Sequence, residues 1–241
     1  MTRGKLQVVG VGPGDPELMT VRAVRLVQAA KVVAYFCRHD RPGHARTIAR
    51  AHITPDAEEL RLEYPFTTEV SVANPAYHGG MSQFYDNCAR NLAQRLEKGQ
   101  DIVLLCEGDP FLYGSAMYLF DRLKAGFETE IVPGIMAMNG CWTQAHLPIT
   151  HGDDVLCVLP ATLPEEKLTN WLEQADAAVI MKTGRNMPQV KRALEKAGRL
   201  ADAVYVERGT QENTRMCALQ EQADNVPYFS LVLLPGRKGV R

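Results

Sequence analysis

The chain has 241 residues, 46% of them hydrophobic, and a formal net charge of −1 at neutral pH. That length can bury one or two cores without disulfides, and the charge excludes a generally basic nucleic-acid binder. No stretch approaches the roughly 18 consecutive apolar residues of a membrane span, and Met1-Thr2-Arg3-Gly4-Lys5 lacks a secretion signal's apolar run, so a soluble cytoplasmic protein with no nucleic-acid or membrane partner is expected.

The first element is an apolar run, Leu6 to Val11, which breaks into Gly10-Val11-Gly12-Pro13-Gly14-Asp15-Pro16. The run reads as a buried strand, and Glu17 to Ala30, apolar at Leu18, Val21, Val24, Leu26 and Val27, reads as the following helix. Glycines in the intervening loop allow positive φ and let a small molecule or another chain segment approach the backbone. The spacing is GxGxG with Asp15 at the place of a third dinucleotide-type glycine, and no Gly-Lys-Ser/Thr ending follows, so neither nucleotide motif is satisfied.

A second strand, Val32 to Phe36, leads into Cys37 to His52, where four arginines and three histidines face one aspartate. The run starts on the same sheet edge as the glycine loop. Both a solvated charged face and a carboxylate-binding surface are open for it, the latter because the planar guanidinium fork suits carboxylates.

From Ile53 to Asn74 the pattern is less regular, with Leu60 to Phe66 readable as extended chain. A helix is expected from Tyr77 to Glu97, apolar at Met81, Phe84, Tyr85, Cys88, Leu92 and Leu96 and closed by Gly99. Two further strand, loop and helix units follow. Ile102 to Cys106 runs into Glu107-Gly108-Asp109-Pro110-Phe111-Leu112-Tyr113-Gly114-Ser115, and Glu130 to Val132 runs into Pro133-Gly134-Ile135-Met136-Ala137. Three loops of similar chemistry at the carboxyl ends of parallel strands predict one shared pocket. Asp109 is also a good helix N-cap, and Gly108 and Pro110 could serve only to shape a turn.

Leu147-Pro148-Ile149-Thr150-His151-Gly152 reads as a hinge. Beyond it, strands are expected near Val155 to Leu159, Ala177 to Met181, Ala203 to Glu207, Arg215 to Leu219 and Tyr228 to Leu234, with helices near Glu165 to Gln174 and Pro188 to Ala197. Consecutive strands late in the chain imply antiparallel pairing and a mixed sheet. The expected fold is α/β in two domains: residues 1–147 with a parallel sheet, a hinge at 148–151, and residues 152–241. Six cysteines without a CxxC pair read as reduced core thiols, and six histidines without compact spacing predict no protein-bound metal.

The ordered motifs Gly10-x-Gly12-Pro13-Gly14-Asp15-Pro16, Glu107-Gly108-Asp109-Pro110-x-x-Tyr113-Gly114, Val132-Pro133-Gly134-Ile135 and Leu147-Pro148-Ile149-Thr150 resemble those of the tetrapyrrole methylase family. Met181-Lys182, Val206-Glu207-Arg208-Gly209-Thr210 and Tyr228-Phe229-Ser230 extend the resemblance over nearly the whole chain. It implies methyl transfer from S-adenosylmethionine, with S-adenosylhomocysteine as product, to a carbon of a reduced tetrapyrrole, the cofactor lying in a cleft between two α/β domains of a homodimeric enzyme.

Carried over residue by residue, the resemblance puts the cofactor on Gly108, Asp109, Pro110, Leu112, Met136, Ala137, Met181 and Lys182. Substrate contacts fall on Pro13, Gly14, Asp15, Arg41, His44, Arg46 and Tyr113, with Arg46 foremost, and no catalytic residue is assigned. Met136 departs from the small hydroxylated residue of many relatives, which leaves a backbone contact there. The Gly43 to Ala49 segment and Tyr64-Pro65-Phe66-Thr67 are similar to the branch acting at carbon 20 of precorrin-2, ahead of the cobalt-loaded substrate, another carbon, or another methylase substrate such as the diphthamide precursor or ribosomal RNA. A binding module that keeps the loops without catalysis is the alternative of a different class.

Overall fold

The computed structural model describes residues 2–66 and 75–236. Thr67 of the carbon-20 resemblance falls outside them. The chain divides into two compact units, Met1–Met136 and Ala137–Arg241. The helix Ala137–Gln144 thus counts with the second unit, ahead of the 148–151 segment expected as the hinge.

The first unit holds a five-stranded sheet in the order β3-β2-β4-β1-β5, built from β1 (Leu6–Gly10), β2 (Val32–Cys37), β3 (Glu58–Glu63), β4 (Ile102–Cys106) and β5 (Thr129–Val132). Every pairing is parallel. The central strand β4 is buried at all five positions, as its unbroken apolar sequence requires when both faces are covered. Alternate residues divide between two cores: Ile102, Leu104 and Cys106 pack with Leu92, Leu96 and Leu119, whereas Val103 and Leu105 pack with Val27, Tyr35 and Ile48. β3 lies at the edge, and its alternation of Glu58, Glu59, Arg61 and Glu63 with Leu60 and Leu62 suits a half-solvated strand.

The helices are α1 (Val21–Ala29), α2 (His44–Ala49), α3 (Pro75–Glu97) and α4 (Ala116–Leu123). The first starts later than its apolar spacing suggests. Asp15 accepts a bond from the Glu17 amide at 2.9 Å and closes a single 3-10 turn over Pro16–Leu18, and Thr20 then caps α1 through the Ala23 amide at 3.1 Å. On α3 the stripe of Met81, Tyr85, Cys88, Leu92 and Leu96 is buried in the first unit's own core.

The second unit contains α5 (Ala137–Gln144), α6 (Glu165–Gln174), α7 (Met187–Lys196) and a sheet of β6 (Leu156–Pro160), β7 (Ala177–Met181), β8 (Val204–Glu207), β9 (Arg215–Ala218) and β10 (Ser230–Leu234). The order is β6-β7-β10-β8-β9, with β6 parallel to β7 and the other pairs antiparallel, so the sheet is mixed as expected. Leu168, Leu172, Val190 and Leu194 of the helices pack on Ile180, Tyr205, Val232 and Leu234. Among the described residues no helix is long and apolar enough to cross a membrane.

Candidate functional site

The strand order makes a reversal between β1 and β4. From β1 the chain proceeds to β2 on one side, and from β4 it proceeds to β5 on the other. In parallel sheets the loops that part at such a point leave a crevice at the carboxyl edge. Here the two loops are joined at their base, because the Val11 amide donates to Cys106 O at 2.9 Å and the Gly108 amide donates to Gly12 O at 2.8 Å.

Three glycines of this edge pack directly on one another. A Cβ on Gly134 would stand 2.0 Å from Gly108 O and 2.9 Å from Gly10 Cα, and one on Gly10 would stand 2.6 Å from the Gly134 nitrogen. The sequence left open whether ligand or chain approaches these positions, and at Gly10 and Gly134 it is chain. Gly108 has φ +66°, a conformation that glycine adopts without strain.

Asp109 does not cap a helix: α4 begins at Ala116, after Ser115. Its Oδ1 accepts from the Phe111 amide at 2.9 Å and its Oδ2 from the Gly134 amide at 3.1 Å, so one side chain shapes the β4 loop and ties it to the β5 loop. Pro110 is buried, Leu112 and Met136 are half-buried, and Tyr113 is exposed at φ +55°. Gly114 follows Tyr113 because its backbone lies on Cys106, where a Cβ would meet the thiol sulfur at 2.9 Å. Pro13 is buried, and Gly14 and Asp15 are half-buried. The structure therefore brings Pro13 to Asp15, Gly108 to Tyr113, and Met136 to one edge of the first sheet.

Glu107 begins the β4 loop and was not singled out as a site residue from the sequence. Burial pushes its carboxyl up to about 7. The neighbouring Cys106 thiol is pushed up to about 12, also by burial, and stays protonated. Only an acidic side chain closing an otherwise apolar strand could have flagged Glu107.

The arginine-rich segment sorts into two groups. Arg46 on α2 donates from Nε and Nη2 to the two oxygens of Glu59 at 2.9 and 2.8 Å, which holds Glu59 below the usual carboxylate range. Arg46, expected as the foremost substrate contact, thus has its fork occupied by a carboxylate of β3. Arg38 and Arg41 instead flank Asp40 in a turn at the end of β2, both exposed, with nitrogen-to-oxygen distances of 3.2 and 3.7 Å. Arg61 holds that turn by donating to Arg38 O at 3.1 Å and His39 O at 2.9 Å, while Glu63 bonds both Arg61 and His39. His44 is exposed in the first turn of α2, after Gly43, whose backbone lies against Phe36 O. The bonding of Arg61 to the turn that carries Arg38 depends on β3 returning beside β2, which residue spacing does not show.

In the second unit Ala137 opens α5, Met181 ends β7, and Lys182 follows at φ +59°. The Arg208-Gly209-Thr210 motif is a loop docked on α5: the Thr210 amide and the Thr214 hydroxyl donate to Gln144 Oε1, and a Cβ on Gly209 would stand 2.4 Å from the Cys141 sulfur. Positive φ at Arg208 and at the β-branched Thr210 marks this loop as strained. A recess in the same unit bordered by Leu147, Leu172, Arg199 and Pro235 holds none of the residues expected to contact cofactor or substrate. Among the described residues no group of three or more His, Cys, Asp or Glu side chains could hold a metal ion.

The residues 5–222 match the family model of the tetrapyrrole (corrin/porphyrin) methylases. The chain is 50% identical over 236 residues to a precorrin-2 C(20)-methyltransferase of Sinorhizobium sp, covering 98% of this chain and 96% of that protein. It is 44% identical to the cobalamin biosynthesis protein CobIJ of Mycobacterium bovis over 97% of its own length, but spans only 46% of that longer protein. It is 26% identical to a cobalt-precorrin-2 C(20)-methyltransferase of Salmonella typhimurium, over 96% of each chain. Among solved structures, a cobalt precorrin-4 methyltransferase superposes with a TM-score of 0.73 at 22% identity, over 96% of this chain and 94% of that one. A uroporphyrin-III C-methyltransferase of Thermus thermophilus complexed with S-adenosylhomocysteine superposes with a TM-score of 0.65 at 22% identity, over 96% of this chain and 97% of that one.

Proposed function

The chain belongs to the tetrapyrrole (corrin/porphyrin) methylases, and from that membership we propose that it transfers a methyl group from S-adenosylmethionine to carbon 20 of precorrin-2, giving precorrin-3A in cobalamin biosynthesis. The observation that carries the reading is the 50% identity, over nearly the whole of both chains, to a protein named for that reaction. Identity to the relative named for the cobalt-loaded substrate is 26%, which favours the metal-free tetrapyrrole.

The β4 and β5 loops suit S-adenosylmethionine: bare glycine backbone is held in place by the Asp109 bonds, beside the half-buried Leu112 and Met136. Gly108, Asp109, Pro110, Leu112 and Met136 would hold it there, and Ala137, Met181 and Lys182 of the second unit are assigned on family likeness. When bound, it supplies a methyl group already activated on a sulfonium. The protein's work is to orient two reactants and exclude water, which is worth roughly 7 to 11 kcal/mol at best. A substrate rich in carboxylates is met by the exposed Arg38 and Arg41, with His44, Tyr113 and the Pro13 to Asp15 turn completing the proposed contacts.

On the same likeness the enzyme is a cytoplasmic homodimer, which sedimentation tests against the 26.7 kDa protomer. The deciding experiment incubates the protein with methyl-labelled S-adenosylmethionine and either precorrin-2 or its cobalt complex, then locates the label by NMR. Label at carbon 20 of the metal-free compound is the expected result, and label elsewhere or on the cobalt complex alone overturns it.

A further inference from the structure

We propose that Glu107 is the proton acceptor of the methyl transfer, a role that rests on the function proposed above. Putting a methyl group in place of the hydrogen on carbon 20 releases one proton. The carbon uses its own electron pair to form the new bond, the sulfur keeps the pair of the broken sulfur–methyl bond, and the carbon–hydrogen pair returns to the macrocycle. The proton passes to the Glu107 carboxylate and from there to water.

Three observations select this residue. The first is position. Glu107 stands at the carboxyl end of the central strand, between two residues pinned to the β1 loop: Cys106 O accepts from Val11 and the Gly108 amide donates to Gly12. Its Cα is thereby fixed at the edge where the glycine loops converge, one residue before Gly108, as a preorganised catalytic group requires.

The second is availability. The other acidic side chains of this edge are committed: Asp15 to the Glu17 amide, Asp40 between Arg38 and Arg41, Asp109 to the Phe111 and Gly134 amides, Glu59 to Arg46, and Glu63 to Arg61 and His39. The Glu107 carboxylate has no hydrogen bond or ion pair with any of the described residues; only its backbone carbonyl accepts a bond, from the Cys106 thiol. The third is access. No side-chain oxygen shut off from solvent lacks a partner among the described residues, so the unpartnered Glu107 oxygens reach open space despite the depth of the residue.

Titratable neighbours do not compete for the proton. The Cys106 thiol, and the Cys37 thiol at the end of the adjoining strand β2, are kept protonated by burial, and Asp109 is occupied by two amides. Burial brings the Glu107 carboxyl close to neutrality, where a general base works best.

The test compares wild type, Glu107→Gln and Glu107→Asp in methyl transfer to precorrin-2 between about pH 6 and 9. The wild-type kcat should rise with an apparent pKa near 7. Glu107→Gln should lose that rise and roughly 10²- to 10⁴-fold of kcat, with the KM for the tetrapyrrole and calorimetric affinity for S-adenosylhomocysteine within about twofold of wild type. Glu107→Asp should recover part of kcat with a displaced pH profile. A readout that needs no turnover is the melting temperature of the unliganded protein: it should fall in wild type as pH rises toward 7 and not in Glu107→Gln. A folded Glu107→Gln enzyme that keeps wild-type kcat and its pH profile overturns the proposal while leaving the methyl-transfer reading intact. A wild type that methylates no tetrapyrrole overturns both.

Discussion

The carboxylate of Asp109 accepts a hydrogen bond from the Gly134 amide at 3.1 Å, across two loops that are 25 residues apart in sequence, while its other oxygen accepts from Phe111. Half-buried, charge-assisted bonds of this kind contribute about 1 to 3 kcal/mol, and here they set the spacing between the loops proposed to hold the methyl donor. Asp109→Ala should therefore weaken S-adenosylhomocysteine about tenfold in calorimetry. Asp109→Asn, which keeps one accepting oxygen, should fall between Ala and wild type. Equal affinity in all three would remove Asp109 from the site.

Glycine substitutions should separate packing from ligand contact. Gly134→Ala sets a methyl group 2.0 Å from the Gly108 carbonyl, with only backbone around it to give way, so a loss of about 3 kcal/mol or more is expected in denaturant titration. Gly79→Ala, on the helix α3 with nothing within 4 Å of the added carbon, should instead gain about 0.5 to 1 kcal/mol. Gly108→Val, at φ +66°, should abolish cofactor binding in calorimetry.

The Arg46 and Glu59 pair predicts a stability effect where a substrate effect was expected. Arg46→Ala and Glu59→Gln should each cost about 1 to 2 kcal/mol, and the double variant should cost little more than either, because both remove the same partly exposed pair. Joint replacement of Arg38 and Arg41 by alanine should leave the melting temperature unchanged and raise the KM for the tetrapyrrole about tenfold. A rise in KM with Arg46→Ala at unchanged stability would restore that residue as a substrate contact.

Two carboxylates should give opposite pH signatures. Glu130 is held at about 2 by bonds from Gln7, Lys5 and Arg22, so its contribution is full above the unfolded value near 4.5 and is lost as pH falls toward 2. Glu107 is raised to about 7, so its ionisation costs stability as pH climbs from about 4.5 to 7, up to about 3 kcal/mol, and the cost is constant above that. Glu130→Gln should therefore flatten the acid side of the stability profile, and Glu107→Gln should gain stability over wild type only above about pH 5.

The α/β class, the parallel first sheet, the mixed second sheet and the glycine loops were legible in the sequence, because each depends on local signals: unbroken apolar runs for strands covered on both faces, and Gly and Pro where a strand must turn into a helix. The start of α1 was missed because the caps at Asp15 and Thr20 compete with apolar spacing over the same residues. What only the tertiary structure decided is which polar groups remain unspent. Arg46 and Arg38 lie in one run of charge and look equivalent in sequence, yet β3 returns beside β2 and presents Glu59 to one and a backbone-binding Arg61 to the turn carrying the other. Likewise Glu107 and Asp109 are two residues apart, and the β5 loop gives Asp109 a partner and Glu107 none. Whether a side chain is free to meet a ligand depends on long-range pairing, which residue type and spacing do not encode.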